Sequence, residues 1–224
     1  MLRITGAILI LTLALACGAT RRADPGEGKG FLDDYSKLEP GGSGEAQLRW
    51  ISPDADFTRY DKVIIDPVTF WRGSDAKAGL STEQRQALAN YFHATAHKEV
   101  SKYFTVVQHP TEGAMRFTAA ITRLGDRNVT MDTVSTYIPQ MRLVAEAKGL
   151  FTGKPAFVGE AALEGRLTDA WSGDLLAAAM DRRVGGKSFK GMDDWADVRA
   201  AIDAWAVKFS SNMCRRAQRP NCPS

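Results

Sequence analysis

Histidine and cysteine are both scarce in this chain, with three of each in 224 residues. The shortage of histidine removes most metal and acid–base sites at once, because imidazole is the side chain that ligates and titrates near neutrality. His93 and His97 lie four apart, a spacing that puts both on one face of a helix. Yet Ala94, Thr95 and Ala96 stand between them, where a zinc-protease helix needs a glutamate base. With only His109 to add, they read as surface or boundary histidines. No Gly-x-Ser-x-Gly nucleophile elbow occurs, and Gly42-Ser43-Gly44 sits in a linker without a strand-to-helix frame. Gly185-Gly186-Lys187-Ser188 falls short of a phosphate loop, since Asp181 occupies the place of its first glycine. Each reaction class needs its own constellation and none is complete, so no catalytic residue, metal ligand or cofactor is assigned.

A dominant charge is missing too. Twenty-nine basic side chains face 26 acidic ones, a net charge of +3. Such a balance argues against nucleic-acid binding, which calls for a concentrated basic face. Arg182, Arg183, Lys187 and Lys190, and later Lys208, Arg215, Arg216 and Arg219, read as solvated basic edges. No apolar run approaches the ~20 residues of a membrane-spanning helix.

What is present begins at the amino end. Arg3 supplies a positive start, Ile8 to Leu15 an apolar core, and Ala14 and Ala16 small residues before Cys17. This is the layout of a secretory signal, and Leu13-Ala14-Leu15-Ala16-Cys17-Gly18 resembles a bacterial lipobox. It departs from that pattern in having Ala14 three places before the cysteine, with Leu13 one step earlier. A plain signal peptide cut near Ala16 is the alternative. The resemblance implies cleavage before Cys17 and acylation there, with several chains (palmitate among them) anchoring the protein firmly. Gly18 stands where an aspartate would resemble an inner-membrane retention signal. The implied place is therefore the outer membrane, facing the periplasm, with its lipid as a partner.

Cys17 taken by lipid leaves Cys214 and Cys222, which read as a disulfide in an oxidising compartment. Two free thiols, or a bond to a second chain, are the alternatives. The chain then divides into a signal peptide at 1–16, an anchor and flexible tether with a short docking segment at 17–46, a domain at 47–213 and a tail at 214–224. Within the tether region, residues 18–30 lack apolar periodicity, while Phe31, Leu32, Tyr35 and Leu38 are spaced as in one or two helical turns. Asp33/Asp34, like Asp193/Asp194, read as acids at helix N-termini.

Lys62 to Phe70 is a β-branched run interrupted at Pro67, a buried strand that bulges or ends there. Ser81-Thr82-Glu83-Gln84 has the form of a capping box, opening a helix to about Phe104. Thr105 to Val107 is a short strand, and alternation from Met115 to Thr122 predicts a half-buried one. Met141 to Gly149 is a candidate short helix. Ala156 to Leu167 and Leu175 to Val184 flank Asp169-Ala170-Trp171-Ser172-Gly173-Asp174, a long hairpin whose Ser172-Gly173 suits a tight turn. Trp195, Val198, Ile202, Trp205 and Phe209 form one stripe of a last helix. The sum is a single α+β domain, a mainly antiparallel sheet with two to three helices packed on it.

Several short stretches, in order, are similar to the bacterial lipoproteins called domain of unknown function 3313. They are Gly30-Phe31-Leu32-Asp33-Asp34-Tyr35, Tyr60-Asp61-Lys62-Val63, Ile65-Asp66-Pro67-Val68, Pro155-Ala156-Phe157-Val158-Gly159-Glu160 and Leu167-Thr168-Asp169. The resemblance extends from about Gly30 to Phe209 and implies no particular activity. The Asp-x-x-Ser-Gly turn also resembles small periplasmic lipoprotein domains related to the Tol propeller's N-terminal domain and the curli secretion lipoprotein. That likeness is one of fold.

Two functions compete. One is a non-enzymatic envelope module that contacts another envelope protein or the cell-wall polymer; it calls for an exposed apolar or aromatic patch away from the anchored end. The other is a small-ligand binder or enzyme around Asp66, Glu160 and Glu164; it calls for a pocket with converging polar groups. Glu160 and Glu164 share a strand face, and carboxylates so placed read as solvent-facing.

Overall fold

The computed structural model describes residues 23–72, 74, 80–126, 159–184 and 196–223. The strand-forming segments meet in one eight-stranded sheet: β1 (Glu39–Pro40), β2 (Leu48–Ile51), β3 (Lys62–Ile65), β4 (Thr69–Phe70), β5 (Thr105–Val106), β6 (Ala114–Asp126), β7 (Gly159–Asp169) and β8 (Leu175–Val184). Their order is β1-β2-β8-β7-β6-β3-β5, with β4 also paired to β6. The ladders from β1 through β2, β8 and β7 to β6 are antiparallel. On the far side β3 runs parallel to both β5 and β6, and β4 parallel to β6. The sheet is therefore mixed. Helix α1 (Thr82–Val100) lies between β3 and β5 in the chain, and such a crossover is what lets two strands enter a sheet in the same direction.

Side chains alternate across a strand, so each registered row faces one side. Ile51, Ala177, Leu167 and Phe117 share a row that faces α1 and α2 (Ala196–Arg216). Ser81 caps α1: its Oγ accepts from the Gln84 amide at 3.2 Å while Gln84 Oε1 accepts from the Ser81 amide at 2.9 Å. Phe92 of α1 stacks on Trp205 of α2, with ring centroids 6.3 Å apart, and Phe117 of the sheet stacks on Phe209 at 3.9 Å. Beyond α2, Cys214 and Cys222 are joined, with Cα atoms 5.6 Å apart. Arg219 lies over the Phe104 ring and Ala217 is buried, so the tail packs on the domain.

The opposite face carries the row Leu48, Met180, Glu164 and Ala120. The chain from Ala23 to Leu38 lies across it as a strap, burying Ala23, Phe31, Leu32 and Leu38. Residues 31–38 form bends and a turn here instead of the expected helical turns. Gly30 takes φ +80, outside the helical region, and the Tyr35 hydroxyl accepts from the amides of Gly30 (2.8 Å) and Leu32 (3.1 Å). Those amides are turned toward a side chain, not toward a helix ladder. Asp34 accordingly receives the Ser36 amide at 2.8 Å in a local turn, and Asp33 reaches Arg166 at 3.4 Å. Neither caps a helix.

Candidate functional site

The β7–β8 hairpin ends in a turn built by Asp169. Its Oδ1 accepts from the amides of Trp171 (2.8 Å) and Ser172 (2.9 Å), and its carbonyl accepts from Gly173 at 3.0 Å. Gly173 has φ +79, a conformation in which a Cβ is strained, so glycine is the fitting residue. The Tyr60 hydroxyl donates to the other Asp169 oxygen at 2.8 Å, and Arg59 stands 4.0 Å away. Burial pushes the Asp169 carboxyl upward, but the two amides and the phenol outweigh it and hold the group below its ordinary value. Tyr60, 2% exposed, is pushed up to about 12 by its own burial and by the hydrogen bond to Asp169.

Fixing the turn in this way leaves Trp171 standing out. It is 81% exposed, with Leu175 40% exposed beside it in the chain. Next to them lies a groove of about 900 Å³, walled by the loops that follow β2, precede β6 and join β7 to β8. Asp54, Asp56, Glu112, Asp169 and Asp174 line it, with Arg59 the one cation among its lining residues. Asp56 is held below the usual carboxylate range by the Thr58 hydroxyl and then the Thr58 amide. Carboxylates that stay ionised are poor proton donors near neutrality; their contribution here is fixed negative charge.

The residues singled out in the sequence are dispersed. Glu164 does not face solvent: it is wholly buried beneath the strap. There it accepts from the Tyr35 hydroxyl and, at 3.2 Å, from the Lys29 amide. The strap covers the strand face that was expected to meet water. Asp66 is bound by Arg116 and Thr118, each at 2.7 Å, and the side chain of Glu160 lies outside the described residues. His93 bonds the Ile65 carbonyl at 3.2 Å, while His97 is exposed and 3.4 Å from Ser101. Among the described residues no three His, Cys, Asp or Glu side chains converge as metal ligands. Cys17, Gly185 to Ser188, Asp193/Asp194 and the segment 141–149 lie outside the described residues.

Trp171 was legible only as part of a turn. The signal for its role is that a tight turn has no interior in which to hide an indole. Asp54, Asp56, Arg59 and Glu112 carried no such mark, because their convergence depends on how the strands pair.

Among solved structures, the chain resembles protein XCC0632 from Xanthomonas campestris, with a TM-score of 0.46 at 10% identity, covering 75% of this chain and 91% of that one. It also resembles a point variant of the PelC dodecamer from Paraburkholderia phytofirmans, with a TM-score of 0.42 at 10% identity, covering 77% and 96%. Likeness at this level carries nothing about activity. In sequence, the chain is 24% identical over 161 residues to the uncharacterized lipoprotein YdcL of Escherichia coli K12, covering 70% of this chain and 71% of that protein. A family model matches residues 27–209, from the strap through the sheet to Phe209 of α2. Spanning both layers that sandwich the sheet, that match places the chain in the family described as protein of unknown function, DUF3313.

Proposed function

We propose that this chain is a lipid-anchored envelope protein, acylated at Cys17, held on the periplasmic face of the outer membrane, and working as a non-enzymatic contact module. Its contact face is the hairpin end of the sheet. The observation that carries the reading is Trp171, 81% exposed over a groove. An indole left in water forgoes roughly 2–3 kcal/mol of apolar burial, and partner contacts use such side chains as anchors.

Orientation supports the same reading. The Ala23 amide donates to Gln47 at 2.8 Å, and Gln47 donates to the Arg182 carbonyl at 2.9 Å. The strap therefore enters at the Arg182 end of β8, and the hairpin turn lies at the other end. Seven strand steps separate Arg182 from Leu175, about 23 Å. From Cys17 to Ala23 the chain can reach at most about 20 Å. An acyl group on Cys17 thus keeps the Arg182 end near the bilayer and directs Trp171 away from it. The Cys214–Cys222 disulfide suits an oxidising compartment, and the lipoprotein name of the Escherichia coli relative agrees with the anchor.

The test is photo-crosslinking in intact cells from a reactive residue placed at 171, with one at Lys37 on the strap as control. Discrete adducts from 171, absent from 37, are expected in a protein that sediments with outer membranes and carries an acylated Cys17. An acylated protein giving no adduct from 171 overturns the contact reading, and an unmodified Cys17 overturns the anchor.

A ligand-binding reading rests on a different observation. Between α2 and the sheet lies an apolar cavity of about 130 Å³, left where Gly165, Ala177 and Ala179 present little bulk to Trp205 and Phe209. Apolar cavities of that size hold small hydrocarbons. Its charged rim is internally satisfied, Arg49 and Arg216 by Glu45 and Lys208 by Asp181, so any occupant would be uncharged. A rise in melting temperature with short-chain alcohols or benzene would favour this second reading; none would remove it.

A further inference from the structure

The contact reading leaves the partner's chemistry open. Resting on that reading, we propose that the groove beside Trp171 receives a lysine- or arginine-bearing segment of a partner protein. Three observations converge on this occupant. First, the lining residues include five carboxylates against the single guanidinium of Arg59, in a chain whose net charge is +3. The groove is thus a negative recess on a chain of nearly balanced charge, which favours cations over anions there. Second, Trp171 offers an open indole face at the groove's edge. Tryptophan is the best aromatic partner for a lysine or arginine cation.

Third, the carboxylates are of two kinds. Asp169, Asp174 and Asp56 are already engaged in their own turns. Asp54 and Glu112 are exposed and take part in none of the ion pairs found among the described residues. Exposed rim carboxylates outside any ion pair supply charge without direction. Recognition of sugar hydroxyls depends instead on polar groups held in a fixed array, so a cationic side chain fits these carboxylates better than a glycan does. A polypeptide segment also brings apolar groups to cover Trp171 and Leu175.

The experiment uses the acylated full-length mature protein in detergent micelles. Dye-labelled peptides of alternating lysine and alanine, their glutamate–alanine counterparts and a chitosan hexamer serve as probes, with binding read by anisotropy. The lysine peptide alone is expected to bind, and more weakly as salt rises from 50 to 500 mM. Trp171→Ala should weaken it about threefold to fivefold, the worth of an exposed cation–aromatic contact. Asp54→Asn combined with Glu112→Gln should weaken it by about fivefold or more, while melting temperatures stay unchanged.

Equal or tighter binding of chitosan overturns the polypeptide occupant. Equal binding of the glutamate peptide, or no binding of the lysine peptide, overturns the cationic one. In either event adducts from position 171 in cells would leave the contact face standing, whereas their absence removes it. The two failures are therefore distinguishable.

Discussion

Glu164 sits on the middle strand of the sheet, wholly buried, with two donors to satisfy it, the Tyr35 hydroxyl and the Lys29 amide. A buried carboxylate that loses a donor keeps the cost of its desolvation. Tyr35→Phe should therefore destabilise the fold by about 1–3 kcal/mol, read as a lower urea midpoint at pH 7. Glu164→Gln leaves one carbonyl oxygen where two donors now meet separate oxygens, so it too should lower the urea midpoint. An unchanged midpoint in Tyr35→Phe would mean that the phenol contributes little. Tyr60 makes a prediction in the alkaline range. Its folded pKa, about 12 against an ordinary 10.0, means that the native state holds this proton more tightly than the unfolded chain does. Its contribution is fully present below pH 10 and is lost as pH rises toward 12. Tyr60→Phe should be less stable at neutral pH, having lost the bond to Asp169, and should show a shallower loss of stability between pH 10 and 12.

At the scale of elements, what could be read in the sequence was whatever depends on neighbours in the chain. The capping box at Ser81 and Gln84 requires only four residues and opens α1 where expected. The hairpin follows from alternation on either side of Ser172-Gly173, and its register places Leu167 opposite Ala177. The strap is different. Phe31, Leu32 and Leu38 have helical spacing, yet they are held by Met180, Ala120 and Leu48, which come from three strands distant in sequence. A preference for one helical turn is worth little beside burial of that much apolar surface. Direction was also hidden: a β-branched run such as Val63-Ile64-Ile65 reads the same whether its neighbours run parallel or antiparallel. Phe31 tests whether the strap belongs to the folding unit. Its ring meets Trp71 edge-on, with centroids 5.3 Å apart, and Arg166 covers it. Phe31→Ala should cost about 3 kcal/mol, in one cooperative transition followed equally by fluorescence and far-ultraviolet dichroism. A strap that melts ahead of the sheet would instead give two transitions.

Over the whole molecule, the proposed anchor and the proposed contact face are related by distance. The strap docks from Ala23 onward, so only residues 18–22 separate an acylated Cys17 from the packed chain. With the proposed anchor in place, that short link would limit the height at which Trp171 stands above the bilayer, because the strap holds the sheet at its Arg182 end. A partner at a set height would be sensitive to this spacing. Twenty Gly/Ser residues inserted after Gly18 add a root-mean-square reach of about 25 Å, comparable to the length of the hairpin itself. They touch neither the groove nor the strap, so melting temperature and lysine-peptide affinity should stay as in the parent. The yield of adducts from position 171 in cells should fall severalfold, because the tip would spend most of its time at the wrong height. If the partner is a freely diffusing protein, the adduct yield will not change with the insertion. Proximity to the membrane would then serve only to hold the module in its compartment.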